Sequence, residues 1–171
     1  MTYDLLVIGS GPAGVTASIY AARANKSVLV IEKEAFGGLI THSPKIENYP
    51  GFPSISGLEL ADQFISQAMN LGVNFEFDNI KEVVKTKEGF TLVGENGQYN
   101  GLTVIIATGS KHRHLGLPKE EELTGHGISY CAVCDGPFYT GKDIIVVGGG
   151  NRAMQEAILL SGSCKSVLIV Q

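Results

Sequence analysis

The chain has 171 residues, 44% of them hydrophobic and 18% charged, with a formal net charge of −4. That is enough apolar material for one core-forming domain or two small ones. No long basic run is present, which argues against nucleic acid as a partner, and no apolar stretch approaches the ~20 residues that span a membrane.

Taken in chain order, Met1 to Asp4 lacks a basic n-region, and Gly9 ends the apolar run Leu5-Leu6-Val7-Ile8. No secretory signal is read there, so the protein is expected in the cytoplasm. Residues 4–8 read as a buried strand, 9–14 as a glycine turn, Val15 to Ala24 as a helix and Ser27 to Glu32 as a second buried strand. Together they make a βαβ unit with parallel strands. Residues 35–57 are rich in Gly and Pro and read as an irregular loop of a length that usually serves function. Leu58 to Leu71 reads as an amphipathic helix stopped by Gly72.

The period then changes. Val73 to Phe77, Glu82 to Lys87 and Phe90 to Val93 alternate, with turn residues at Glu88-Gly89 and Asn96-Gly97. These three segments are read as an antiparallel meander inserted into the parallel architecture. Leu102 to Ala107 is a further buried strand, closed by Thr108-Gly109, and residues 110–118 read as a linker. A second strand, glycine turn, helix and strand follow at Ile144–Val147, Gly148–Gly150, Ala153–Leu160 and Val167–Val170. The expected fold class is therefore α/β. Residues 1–114 form a Rossmann-like dinucleotide domain with a β-meander insertion, and 115–171 begin a second Rossmann-like domain. Two strands and a helix do not complete a doubly wound sheet, so part of that second domain is expected to lie outside this sequence.

Three motifs carry chemistry. In Gly9-Ser10-Gly11-Pro12-Ala13-Gly14, Gly9 makes the turn, Gly11 lets a pyrophosphate approach the backbone, and Gly14 lets helix and strand pack closely. The helix start offers N–H groups to the phosphates. Glu32, at the end of the next strand, accepts from ribose hydroxyls and repels a 2′-phosphate, which favours FAD or NAD over NADP. The second motif is Cys131-Ala132-Val133-Cys134, whose spacing suits a catalytic disulfide in which one thiol resolves what the other forms. A zinc half-site and plain buried thiols are the alternatives. Asp135 either shuttles protons to a departing thiolate or caps the turn at Gly136-Pro137. The third motif, Gly148-Gly149-Gly150-Asn151-Arg152-Ala153, again opens a helix after a strand and reads as a second dinucleotide site or as a structural turn.

The loop from Gly37-Gly38-Leu39-Ile40-Thr41 to Asn48 follows the second strand, where open α/β sheets bind ligands. Cys164 reads as core, His42 and the Lys111–His114 cluster as solvated, and no metal site is expected.

The glycine motif, Glu47-Asn48-Tyr49-Pro50-Gly51, Ile106-Ala107-Thr108-Gly109, Leu115-Gly116-Leu117-Pro118, Cys131-Ala132-Val133-Cys134-Asp135-Gly136 and Gly148-Gly149-Gly150-Asn151 together resemble low-molecular-weight thioredoxin reductases. These are FAD-dependent members of the pyridine nucleotide-disulfide oxidoreductases. The resemblance covers essentially the whole chain. It implies that NADPH reduces FAD, that reduced FAD opens the cysteine disulfide, and that the dithiol reduces thioredoxin. Cys134 would then face the flavin, Cys131 attack thioredoxin, and Asp135 act as acid/base. The implied FAD contacts are Gly9, Ser10, Gly11, Pro12, Ala13, Gly14, Glu32, Gly37, Gly38, Leu39, Ile40, Thr41, Asn48, Val83, Ala107, Thr108 and Gly109. The segment near 110–118 would be a hinge strand, and a homodimer is implied. The family also has a branch fed by ferredoxin. Arg152, Gln155 and Gln171 depart from the NADPH-binding pattern, so that donor stays open beside NADPH. A non-catalytic FAD-binding or redox-sensing module is the reading of another class.

Overall fold

A computed structural model describes residues 1–171, which divide into two compact units, Met1–Lys111 and His112–Gln171. In the first unit, β1 (Thr2–Ile8) leads through the glycine turn into α1 (Pro12–Arg23) and then β2 (Val28–Glu32). Pro12 occupies the first helical turn, where its missing N–H costs nothing, so α1 starts earlier than the Val15 read from the sequence. A short 3₁₀ turn spans Gly38–His42, and α2 (Gly57–Asn70) begins at Ser56, whose hydroxyl and Glu59 cap each other's backbone N–H groups.

Four more strands complete the sheet: β3 (Asn74–Phe77), β4 (Ile80–Lys85), β5 (Phe90–Gly94) and β6 (Gln98–Ile106). Their order is β3-β2-β1-β6-β5-β4. One expectation is corrected here. Residues 73–77 do not belong to the meander, because β3 pairs parallel with β2, from Leu29 opposite Asn74 to Glu32 opposite Phe77. Alternation reports that one face of a strand is buried and is silent on its direction. The intervening α2 is the crossover that returns the chain parallel. Only the pairs β4–β5 and β5–β6 are antiparallel. β6 also reaches back to Gln98, further than the apolar run showed, because Gln98–Gly101 pair with β5 while Asn100–Ile106 pair with β1.

The apolar run of β1 is buried on both faces, and the strand's period of two sorts it. Leu5 and Val7 pack with Val15, Ala68, Phe64 and Ile65 under the helices. Leu6 points the other way, onto Leu29, Ile31 and Leu92, with Tyr99 and Ile80 around them.

The second unit contains α3 (Glu120–Leu123), α4 (Ala132–Asp135), a 3₁₀ turn at Gly136–Tyr139, β7 (Asp143–Val147), α5 (Asn151–Ser161) and β8 (Ser166–Val170). β7 and β8 pair in parallel from Asp143–Ser166 to Val147–Val170. Ala132, Ala157 and Leu160 are its buried apolar centre. No helix in either unit is long and apolar enough to cross a membrane.

Candidate functional site

The first site forms at the carboxyl ends of β1, β2 and β6. Gly9 sits at φ 103°, and a Cβ there would strike the Ala107 carbonyl oxygen; a Cβ on Gly14 would strike the Gly9 carbonyl oxygen. Both glycines are thus required by the fold itself. Gly11 is different. It is extended at φ −65° and ψ 176°, and a Cβ on it would meet only the Gly37 oxygen, at 3.9 Å. Neither the backbone nor the packing needs glycine at that position. The open space over Gly11, at the head of α1, therefore fits a group that must come close to the chain, as a dinucleotide pyrophosphate does.

Around this turn the expected residues gather. Ser10 is fully buried; its N–H and hydroxyl both donate to one Glu32 carboxylate oxygen, at 2.9 Å each. The other Glu32 oxygen accepts from the Lys33 and Glu34 N–H groups, at 2.8 and 3.1 Å. The carboxylate therefore stands at the end of β2, as the motif requires, but held by internal donors on both oxygens. Ser10 extends the link to the long loop, because Gly37 N–H donates to its hydroxyl at 3.2 Å and to its carbonyl at the same distance. Gly38 lies against the Gly11 backbone, and the Thr41 hydroxyl donates to the Gly38 carbonyl at 2.8 Å. Leu39 and Ile40 complete that 3₁₀ turn, and Pro12 and Ala13 open α1. Ala107 donates its N–H to the Ile8 carbonyl at 2.8 Å, which sets Ala107 and Thr108 beside Gly9; Gly109 follows at φ 65°. Asn48 and Val83 lie on other elements. Asn48 lies in the loop between the 3₁₀ turn and α2, and Val83 is on β4, the strand entered just after Asp78, whose N–H donates to the Glu32 carbonyl at 3.0 Å.

In the second unit the Cys131 and Cys134 sulfurs are joined as a disulfide, with their Cα atoms 5.3 Å apart. Cys131 is the N-cap of α4: its sulfur accepts from the Cys134 N–H at 3.2 Å and its carbonyl from the Asp135 N–H at 3.0 Å. A backbone donor aimed at Cys131 Sγ also favours the thiolate once the bond is opened. The turn is seated on α5, where Gly136 leaves 3.1 Å between a would-be Cβ and Leu160. No group of three or more His, Cys, Asp or Glu side chains is gathered to hold a metal.

Ser129, Tyr130 and Glu120, beside the cysteines, were not singled out in the sequence, and His112, read there as solvated, packs on one of them. The Ser129 hydroxyl lies 2.5 Å from an Asp135 carboxylate oxygen. Tyr130 donates its hydroxyl to Glu120, stacks on His112 with centroids 4.5 Å apart, and accepts from Arg152 on its carbonyl at 3.2 Å. Glu120 is only 4% exposed and also accepts the N–H groups of Leu115, Gly116 and Leu117. The Tyr130 hydroxyl and those backbone donors hold its carboxyl at about 2, while the pairing with Glu120 and then burial push Tyr130 up to about 12. Glu120 sits in a row of three glutamates, and nothing in that row marks which one is buried.

The second glycine turn repeats the first with substitutions. Gly150 is extended at φ −83° and ψ 170°, and a Cβ on it would meet nothing within 4 Å, so this fold has no need of glycine there either. Gly149 replaces Ser10, and the side chain of Gln171, just past β8, lies against it where Glu32 meets Ser10 in the first unit.

Comparison with known proteins agrees with this geometry. The family described as pyridine nucleotide-disulphide oxidoreductase matches residues 3–171. A thioredoxin reductase of Listeria monocytogenes is 46% identical over 168 residues, which is 98% of this chain and 53% of that protein. The thioredoxin reductase of Bacillus subtilis is 44% identical, with the same coverage. The crystal structure of thioredoxin reductase from Streptococcus pyogenes MGAS5005 superposes with a TM-score of 0.95 at 46% identity, covering 99% of this chain and 56% of that one. The chain thus spans about half the length of the curated relatives it matches.

Proposed function

Because the chain belongs to the pyridine nucleotide-disulphide oxidoreductase family, we propose that the full-length protein is an FAD-dependent thioredoxin reductase whose redox pair is Cys131–Cys134. The observation that carries the reading is that pair, closed as a disulfide at the head of α4, with Asp135 on the same turn and a dinucleotide cradle upstream. The first cradle fits FAD: the space over Gly11 and the N-terminus of α1 would take the pyrophosphate, and Glu32 would face the ribose. When bound, FAD supplies a reversible store for two electrons. NADPH is the donor we favour. Gly150 leaves room for its pyrophosphate, and the neutral Gln171 amide carries no charge to repel a 2′-phosphate, in contrast to Glu32 in the first unit.

The residues then divide the work. After two electrons open the disulfide, the Cys131 thiolate attacks one sulfur of the thioredoxin disulfide, forming a mixed disulfide and releasing one thioredoxin thiolate. The Cys134 thiolate attacks Cys131 Sγ, restores the Cys131–Cys134 bond and releases the second thiolate. The two enzyme thiol protons end on the two thioredoxin thiols, and Asp135 relays them. This chemistry belongs to a reducing compartment, so the working form is taken to be cytoplasmic, and by resemblance a homodimer.

The test follows the flavin absorbance of the full-length holoenzyme under anaerobic conditions, with NADPH, NADH and reduced ferredoxin added in turn and oxidised thioredoxin last. Bleaching by NADPH and recovery with thioredoxin are expected. Bleaching only by ferredoxin would move the protein to the ferredoxin-linked branch, and no recovery with thioredoxin would overturn the reductase reading. Cys134→Ser should leave a reducible flavin and abolish thioredoxin reduction; surviving turnover would refute the assigned pair.

A further inference from the structure

Ser129 lies two residues before the redox pair, and its single hydroxyl meets three polar groups. Its Oγ is 2.5 Å from Asp135 Oδ2, 3.0 Å from the Cys131 N–H nitrogen and 3.3 Å from the Cys131 carbonyl oxygen. A hydroxyl has one proton to give. The carboxylate is the nearer and, being charged, the stronger acceptor, so the proton goes to Asp135 while the lone pairs receive the Cys131 N–H. One oxygen atom thereby connects the backbone of Cys131 to the side chain of Asp135. The Asp135 N–H, bonded to the Cys131 carbonyl, closes the same turn from the main-chain side. Arg152 steadies the intervening residue by donating to the Tyr130 carbonyl.

We propose that Ser129 is a positioning residue for proton transfer at the redox pair, holding the Asp135 carboxylate by Oδ2 and leaving Oδ1 to carry the thiol proton. The inference rests on the reading of Asp135 as the acid/base of thiol–disulfide exchange. In the step concerned, Cys134 Sγ bonds to Cys131 Sγ, the mixed disulfide breaks, and the departing partner thiolate takes the proton that Cys134 gave up. Asp135 holds that proton from the moment the disulfide is opened, with Cys134 left as thiolate, so in this step it acts only as the acid that serves the leaving group. Without the Ser129 hydroxyl the carboxylate is free to rotate about its own side-chain bonds, and the transfer slows.

The role makes a prediction that depends on the leaving group. Thioredoxin thiolates are basic enough to need a proton, whereas the thiolate released from an aromatic disulfide such as 5,5′-dithiobis(2-nitrobenzoate) leaves without one. Full-length holoenzyme is reduced with dithionite, which makes the assay independent of the natural donor. It is then mixed with either oxidant, and flavin reoxidation is followed. Ser129→Ala should slow reoxidation by thioredoxin on the order of tenfold, a part of the ~10²–10⁴ that a positioned acid/base contributes, and should leave the aromatic disulfide within about twofold of wild type, the spread of small local readjustments. Ser129→Thr keeps the hydroxyl and should restore the thioredoxin rate. In an Asp135→Asn background, Ser129→Ala should add nothing further, because both changes act on one group.

Equal slowing with both oxidants would mean that Ser129 only shapes the turn, and would overturn the proposal. So would a wild-type rate in Ser129→Ala, failure of the threonine variant to rescue, or full additivity with Asp135→Asn. Asp135→Asn turning over thioredoxin at the wild-type rate would instead remove the underlying assignment of Asp135.

Discussion

Gly11 and Gly14 belong to one motif yet serve different masters, and substitution separates them. Gly14→Ala drives a methyl into the Gly9 carbonyl, so the full-length apoprotein should lose about 1–3 kcal/mol in a denaturant titration, the ordinary cost of overpacking. Gly11→Ala meets open space and should leave apoprotein stability within about 0.5 kcal/mol. Its FAD affinity should nevertheless fall steeply, as read by fluorescence of released flavin. Charge at single residues also sets a pH window for the second unit. Glu120 is held at about 2 against its ordinary 4.5, so its contribution is complete above ~4.5 and fades as pH falls toward 2. Tyr130 is raised to about 12 from 10, so its contribution is complete below ~10 and fades as pH rises toward 12. Melting temperatures across pH should show both limbs, and Glu120→Gln should flatten the acid one. The glycine motif and the cysteine pair were legible because backbone demands and sulfur chemistry each select a rare residue at a fixed spacing. Ser129 and Glu120 were not: serine is common and carries no period, and the burial of one glutamate among three is decided by where Leu115–Leu117 and Tyr130 present their donors.

Among the elements, β1 was readable as buried, and its alternate side chains feed two separate apolar layers. Leu6 is wholly enclosed, so Leu6→Ala should cost about 2–5 kcal/mol in a urea titration of the full-length protein. The direction of β3 was not readable. An edge strand such as β3 alternates whichever way it runs, and only the crossover through α2 gives its direction. The meander is closed by a device equally hidden in the sequence. Asp78, just after β3, accepts from the N–H groups of Asn79, Glu95 and Asn96 and from the Tyr99 hydroxyl. Burial pushes its carboxyl up, but those bonds outweigh it and leave it below the usual carboxylate range. Tyr99 is raised to about 12, by burial first and then by Asp78. Asp78→Ala would leave the Asn96 N–H without its acceptor and the Glu95 N–H with the Asn79 carbonyl alone, at 3.2 Å. Amide exchange at Glu95 and Asn96 should then accelerate while that of β1 stays slow.

Across the whole molecule, the chain uses one strand–turn–helix–strand plan twice and changes its chemistry by small substitutions. Ser10 with Glu32 gives the first turn a fixed carboxylate, and Gly149 with Gln171 gives the second a neutral amide. If the second turn holds NADPH, Gln171→Glu should weaken NADPH on the order of tenfold relative to NADH, about 1.4 kcal/mol of charge repulsion at the 2′-phosphate, measured as the ratio of flavin-reduction rates at low cofactor.

The open ground over Gly11 and Gly150 has an evolutionary corollary. Within this chain, folding places no demand for glycine at either position, so on the function proposed above a bound nucleotide is what holds these glycines against drift. A descendant that gave up FAD could take alanine at 11 and fold as before, and one that changed its electron donor could do so at 150. On that reading the two residues would record, independently of each other and of the core, whether a lineage still uses FAD at the first turn and a pyridine nucleotide at the second.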